Sequence, residues 1–267
     1  MSVSRIFAIV LRQFYIVRGS FARLFPLFAW AGIDMILWGF LTRYLNNFVS
    51  SGFNFVPMLL GAVLLWDFFI RIMQGVTMAF FEDVWSNNFI NVFASPLLIS
   101  EYVLGLVISS IATSMIGLTV MLFIVVFFFK LSLLIYGIMA VPFILVLFLF
   151  GISIGVFGSA LVLHLGPASE WFIWPIPALI SPFVGVLYPI STLPHWMQLV
   201  ARFLPPSYVF EGLRAIVLGK EFSGITLVWG GCLAVLYIFL AYMFFVKIYK
   251  HSLHTGLLVR HSAETLN

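Results

Sequence analysis

Residues 82–102 read "EDVWSNNFINVFASPLLISEY". The stretch carries three carboxylates, Glu82, Asp83 and Glu101, and no Lys or Arg. It separates two long apolar runs, 57–81 and 102–129. Packed helices are joined by roughly 2–8 residues, so the stretch is too long for a turn, and it is too short for a domain. If both runs cross a membrane, the polar piece between them is a surface element with a task of its own.

Composition supports the crossing. Of 267 residues, 63% are hydrophobic and 8% charged, with mean hydropathy +1.18. A soluble domain has roughly 25% charged residues, so this chain cannot cover itself with a wet surface. A formal charge of +4 on such a chain reflects orientation and lipid headgroups, not nucleic acid. The single cysteine, Cys232, lies in an apolar run, which excludes an intrachain disulfide and a cysteine-based metal site. Arg5, Arg12, Arg18 and Arg23 punctuate the start of the chain, and no cleaved signal peptide is expected there.

A spanning helix needs about 20 mostly apolar residues. Six segments qualify: 26–45, 57–81, 102–129, 133–163, 173–190 and 225–247. They are continuously apolar rather than alternating, which favours helices over a barrel. No repeat of fixed period is present. The predicted fold is an all-α polytopic membrane protein with six transmembrane helices. Residues 1–23 read either as a plain basic flank or as an amphipathic helix in the headgroup region. As a helix, Arg5, Arg12 and Arg23 share one side, and Ile6, Phe7, Val10, Phe14 and Val17 fill much of the rest. Pro26 then suits the first turn of a new helix.

Orientation follows the Lys and Arg distribution. With six spans, the arginines of the N-terminus, Lys247 at the end of the last span, and Lys250 and Arg260 of the tail 248–267 share one side. Arg43, Lys130, Arg202, Arg214 and Lys220 fall on the other. Both termini, the stretch 82–101 and the turn at 164–170 are expected to be cytoplasmic. Residues 191–224 are then outside. That segment is too polar to span and too apolar for an open loop. Trp196, Leu199, Val200 and Phe203 recur at helical spacing, Pro205-Pro206 interrupts, and Val209, Leu213, Ile216 and Val217 resume. Two short amphipathic helices with a proline hinge are predicted, lying in the outer interface or re-entering the membrane.

Several chemistries are excluded. Gly219-Lys220 is followed by Glu221, and position 214 is Arg, so no phosphate-binding P-loop is present. No H-E-x-x-H motif occurs, and the five histidines are scattered near segment ends. His251 and His254, three apart, make a weak metal site; no metal is expected. Ionisable residues inside the spans are costly and are functional candidates by default. Asp34 lies in the first span, and Asp67 and Arg71 in the second. Asp67 and Arg71 stand i,i+4 in the favourable order. They read as a neutralised structural pair or as the polar lining of a substrate path or subunit interface. No series of buried carboxylates resembles a proton relay.

Two motifs, with the layout, carry a family resemblance. One is Phe81-Glu82-Asp83, Phe89, Val92-Phe93-Ala94-Ser95-Pro96-Leu97 and Glu101-Tyr102-Val103-Leu104-Gly105. The other is Pro189-Ile190-Ser191-Thr192-Leu193-Pro194-His195-Trp196-Met197, Ala201-Arg202-Phe203-Leu204-Pro205-Pro206-Ser207-Tyr208 and Glu211-Gly212-Leu213-Arg214. In this order they resemble the permease subunits of type-2 ABC (ABC-2) exporters, over nearly the whole chain. Family members often carry a basic residue and a Gly-Thr pair after the first acid. Here Val84, Trp85 and Asn87-Asn88 stand there, and no Lys or Arg occurs from 72 to 129.

The resemblance implies a bacterial inner-membrane permease, working as two copies with two separate ATPase subunits that bind ATP and Mg. It implies a coupling helix over 82–100 that rests on the ATPase. Glu82, Asp83, Phe89 and Phe93 would contact the partner, Ser86 or Asn87 can cap the helix start, and Ser95-Pro96 would end it. It also implies an outer gate of Pro194, Trp196, Pro205, Tyr208, Glu211 and Arg214, the last two forming an exposed pair of little energetic weight. The cargo would be an amphiphile such as a drug, a lipid or a lipid-linked glycan, moved out of the cytoplasm or inner leaflet. Two rival readings stand beside it: a structural or assembly subunit of the membrane, and an intramembrane lipid-modifying enzyme. The enzyme would need convergent reactive groups that the sparse charges do not supply.

Overall fold

The computed structural model describes residues 1–19, 21–48, 55–86, 92, 95–166 and 169–255. Among them every regular element is helical. Helix α1 (Val3–Arg18) ends at Gly19, whose N–H donates to the Tyr15 carbonyl at 3.0 Å. Arg18 in its last turn suits the negative end of the helix dipole. Ile9 and Gln13 face inward, while Phe7, Phe14 and Tyr15 are exposed. The helix is shorter than 1–23 and leaves Arg23 on the next helix, so the expected side of three arginines reduces to Arg5 and Arg12.

Helix α2 (Phe21–Phe48) begins five residues before Pro26 and runs for 28 residues, about 42 Å. A single π-helical turn (Val56–Leu60) leads into α3 (Gly61–Trp85). Helix α3 does not stop at 81: Glu82 and Asp83 form its last turn. The Ser86 N–H and hydroxyl close that end on the Glu82 carbonyl at 3.1 and 2.6 Å. Helix α4 (Ile99–Phe129) ends at Lys130 in a left-handed conformation (φ 54°). The expected fourth span divides into a 3₁₀ segment (Leu133–Met139), broken at Gly137, and α5 (Ala140–Leu165).

The expected fifth span, 173–190, is not one helix. It becomes α6 (Glu170–Ile173) and α7 (Ile176–Val184). Pro175, Pro177 and Pro182 crowd this stretch, and Gly185 at φ 68° ends it, because proline removes N–H donors and glycine admits the left-handed turn. The outer segment holds α8 (His195–Ala201) and α9 (Pro205–Val217). Pro205 and Pro206 start α9 rather than interrupt a helix, since proline fits the first turn. Helix α10 (Gly224–Thr255) continues past 247, so the tail begins as helix.

The long helices form a row: α2 borders α4, α4 borders α3, α3 borders α5, and α5 borders α10. Helix α9 packs on α5 and α10, and α1 lies on α4. The α3–α5 contact is close because α5 presents Gly151 and Gly155. A Cβ on Gly155 would stand 2.8 Å from the Met73 carbonyl oxygen. Small residues at such spacing let backbones approach, as in membrane helix pairs. Phe68, Phe69, Ile72 and Phe80 of α3 are buried in this centre.

Among the described residues four helical stretches are long and apolar enough to cross a membrane: Val56–Trp85, Ile99–Phe129, Ile135–Leu165 and Gly224–Thr255. Their outward faces carry exposed apolar side chains, such as Phe123 and Phe127 on α4 and Val228, Trp229 and Phe239 on α10. In water such faces would associate or aggregate; in lipid they need no cover. The chain is a multi-pass membrane protein.

Candidate functional site

Helix α1 crosses the end of the bundle where α3 finishes and α4 begins, and two buried carboxylates meet it there. Asp83 is 1% exposed and Glu101 fully buried. Ions so placed are costly unless paired and hydrogen-bonded. Asp83 receives both: the Arg12 guanidinium donates to its Oδ1, and the Tyr102 hydroxyl donates to its Oδ2 at 2.7 Å. Glu101 accepts the Ser2 N–H at 2.6 Å and the Leu98 N–H at 3.1 Å, and pairs with Arg5 at 3.5 Å. The Leu98 bond satisfies a donor that the start of α4 would otherwise leave open. One turn beyond Ile9, the Gln13 amide donates to the Ala79 carbonyl at 3.3 Å.

These bonds join three elements into one unit. Arg5 and Arg12 stand two turns apart on α1 and reach carboxylates on α4 and α3 respectively. Gly105 lets α1 settle: a Cβ there would lie 2.6 Å from Ile9 Cγ2. Beside the junction is a cavity of about 390 Å³, with Arg5, Ile9 and Arg12 on one wall and Val92, Ser95, Pro96 and Leu97 on the other.

The expected coupling residues are placed as follows. Asp83 is buried in the junction, and Glu82 is half-buried beside it. Ser95 and Pro96 are exposed in a bend, where the Ser95 hydroxyl donates to the Val92 carbonyl at 2.6 Å. Phe89 and Phe93, and with them most of the expected 82–100 helix, lie outside the described residues. Sequence reasoning passed over Arg5, Arg12, Glu101 and Tyr102 as site residues. The signal for them was the pair of acid groups flanking a stretch with no local cation.

At the opposite end of α3, the expected outer-gate residues form a second tie. Arg214, 6% exposed, donates through Nη1 to Glu211 Oε1 at 2.8 Å and through Nη2 to the Gly185 carbonyl at 2.7 Å. The same Glu211 oxygen accepts the Ile190 N–H at 2.8 Å. The pair is enclosed on the Arg214 side only, the Glu211 side chain being 43% exposed, and it binds α9 to the end of α7 and to the turn after it. Burial lowers the guanidinium pKa from its ordinary value, and Glu211 opposes that shift. Tyr208 donates to the Arg202 carbonyl at 2.7 Å, Pro194 and Pro205 start α8 and α9, and Trp196 is exposed with its edge toward Phe183.

Within the spans, Asp67 and Arg71 pair at 4.0 Å, and Asp34 on α2 lies within electrostatic reach of both. His164 and His251 come within 6.2 Å, ring to ring. No group of three metal-ligating side chains occurs among the described residues.

No curated protein matches the chain. The family model described as "ABC-2 type transporter" matches residues 5–218, which takes in α1 with Arg5 and Arg12, the junction at Asp83 and Glu101, and the Glu211–Arg214 tie. The chain belongs to the ABC-2 type transporter family, as a membrane-spanning permease component.

Proposed function

We propose that this chain is the permease subunit of an ATP-driven exporter, moving an amphiphile out of the cytoplasm or inner leaflet of a bacterial inner membrane. Two copies, each crossing the bilayer six times with α2 as the first span and the broken, apolar α6–α7 stretch as the fifth, work with two separate ATPase subunits. Those subunits bind ATP and Mg; this chain contributes the path. Both termini and the α1–α3–α4 junction face the cytoplasm, and α8 and α9 close the outer end.

The observation that carries the reading is the joining of α1 to the end of α3 and the start of α4 through Asp83 and Glu101. A lever must be stiff to transmit force, and an ATPase shifts a permease only by contacting its two states differently. The stretch 82–100, held at both ends by this junction, presents the contact, with Glu82, Ser95 and Pro96 toward the partner and Phe89 and Phe93 as further contact residues.

The test is reconstitution in vesicles with a separate ABC ATPase of the same organism, sought first in the adjacent reading frame. Stable co-purification and ATP-dependent movement of a fluorescent phospholipid or hydrophobic dye are expected. Glu82→Ala is expected to insert and dimerise yet lose transport. A chain that binds no ATPase, or modifies lipid without ATP, would overturn the reading.

A further inference from the structure

The basic side chains at the junction end of the bundle are not all free. Arg5 and Arg12 of α1 are taken up by Glu101 and Asp83, which leaves Arg18 exposed on that helix. A larger group of exposed basic side chains lies on α10. Phe245 of α10 stands edge-on to Phe80 of α3, so the last turns of α10 lie at the same end as the junction. Lys247, Lys250, His251 and His254 are all exposed there. Offsets of three, four and seven residues put them on one face, over about 10 Å. Phe245, Ile248 and Ser252, on another face, are buried. His164, in the last turn of α5, is exposed too, and its ring centroid stands 6.2 Å from that of His251. Two helices thus share one basic patch.

Little nearby neutralises it. Neither α5 nor α10 contains an Asp or Glu. Among the described residues none of the five basic groups takes part in an ion pair. Of the acids at the end of α3, Asp83 is closed by Arg12 and Tyr102, and Glu82 is half-buried. Glu211 and Arg214 of α9, which also packs on both helices, pair with each other at the opposite end. Along the chain the acid nearest His164 is Glu170, the first residue of α6.

Two features put the patch at the level of lipid headgroups. Helix α10 has 32 residues, about 48 Å, against a hydrocarbon layer of about 30 Å. Its first charged residue is Lys247, so the uncharged part matches the roughly 20 residues that cross that layer, and the turns from Lys247 onward emerge from it. The second feature is α6, which folds back on α5: a Cβ on Gly158 would stand 3.1 Å from Ile173 Cγ2. Trp171 and Phe172 beside Ile173 are exposed, and tryptophan side chains collect at the boundary between membrane and water. Free cations at that depth meet the phosphate layer.

We propose that Lys247, Lys250, His251 and His254 of α10, with His164 of α5, form a docking surface for the phosphate groups of anionic phospholipids, one that tightens as the pH falls. The lysines supply permanent charge. Imidazoles take up protons as the pH falls through the range from about 8 to about 5, while the phosphodiester of phosphatidylglycerol stays anionic, so attraction grows. Each cation close to an anionic surface strengthens binding about five-fold. The exporter reading above enters only in saying which leaflet the surface faces.

The experiment titrates the full chain, purified in detergent, with phosphatidylglycerol or with zwitterionic phosphatidylcholine, and counts bound lipid by native mass spectrometry. The readout is the ratio of the two dissociation constants for the first bound lipid. Wild type is expected to favour phosphatidylglycerol at least about five-fold near pH 8, and about two-fold more near pH 6. Lys247→Gln with Lys250→Gln is expected to lower the ratio at both pH values. His164→Gln, His251→Gln and His254→Gln together are expected to abolish the gain at low pH and keep the remainder. Arg18→Gln, on α1, is expected to leave that gain in place. All these positions are exposed, and a ratio taken within each variant is not imitated by loss of folded protein. A wild-type ratio near one, a ratio unchanged in the lysine variant, or a low-pH gain that persists without the histidines overturns the proposal. So does a lysine variant that keeps the wild-type lipid ratio and loses co-purification with the ATPase, because the patch then serves an acidic protein face. No arm needs ATP or transport, so failure of the exporter reading is read separately.

Discussion

The Tyr102 hydroxyl donates to Asp83 Oδ2 at 2.7 Å, between the first turn of α4 and the last turn of α3. Both residues are buried, so the bond substitutes for water that neither group can reach. Tyr102→Phe keeps the ring, which stands edge-on to Phe80, and removes only the donor. A loss of about 1–3 kcal/mol is expected, the usual cost of leaving a buried polar group without a partner. Denaturant or thermal unfolding of the purified protein in lipid discs measures it; unchanged stability would show that Asp83 does not need Tyr102.

The Arg12–Asp83 ion pair should behave as a unit. Arg12→Ala leaves a carboxylate that is 2% exposed with one donor, and breaking such a pair costs about 3–5 kcal/mol. Asp83→Asn in the same background removes the stranded charge and should recover part of the loss. A double-mutant cycle reads this directly. If the two substitutions add without interaction, α1 is not held to α3 through this pair.

Much of the bundle was legible because long apolar runs admit few structures in a bilayer, and the ends of α4 and α5 fall close to expectation. The junction was not legible as contact. Arg5 and Arg12 have the spacing of a headgroup-facing stripe, and only the fold turns them onto Asp83 and Glu101. The absence of Lys or Arg from 72 to 129 was visible as an anomaly in the sequence. Its resolution is that α1, some seventy residues earlier in the chain, supplies the cation. The stretch 173–190 misled for a different reason: its composition is apolar enough to span, but Pro175, Pro177, Pro182 and Gly185 govern its backbone. The Asp67–Arg71 pair followed from i,i+4 spacing alone, whereas the approach of Asp34 depended on how α2 lies against the row.

The α3–α5 contact offers a steric test. Gly155→Ala places a methyl 2.8 Å from both the Met73 carbonyl oxygen and Val76 Cβ. The first of these is backbone and cannot swing away. Overpacking of this kind costs about 1–3 kcal/mol. Gly224→Ala, with nothing within 4 Å of the added carbon, serves as the control. The expected result is a lower unfolding temperature for the first and none for the second. Equal behaviour would mean that the two helices can separate without strain.

The outer tie makes the most local prediction. The Arg214 fork reaches Glu211 and the Gly185 carbonyl at once, and the Glu211 oxygen in turn holds the Ile190 N–H. A lysine preserves the charge but offers one ammonium in place of two diverging N–H groups. Arg214→Lys should therefore loosen the turn at 185–192 while α9 stays helical. Loss of one such bond, about 1–3 kcal/mol, corresponds to opening that is roughly 5- to 150-fold more frequent. Amide hydrogen exchange at Ile190 reports it. Glu211→Gln keeps an acceptor oxygen and should leave that amide largely protected, whereas Glu211→Ala should expose it as fully as Arg214→Ala does. Protection at Ile190 that survives Glu211→Ala would place the anchor of this turn elsewhere, in the packing of Ile190 against Gly185.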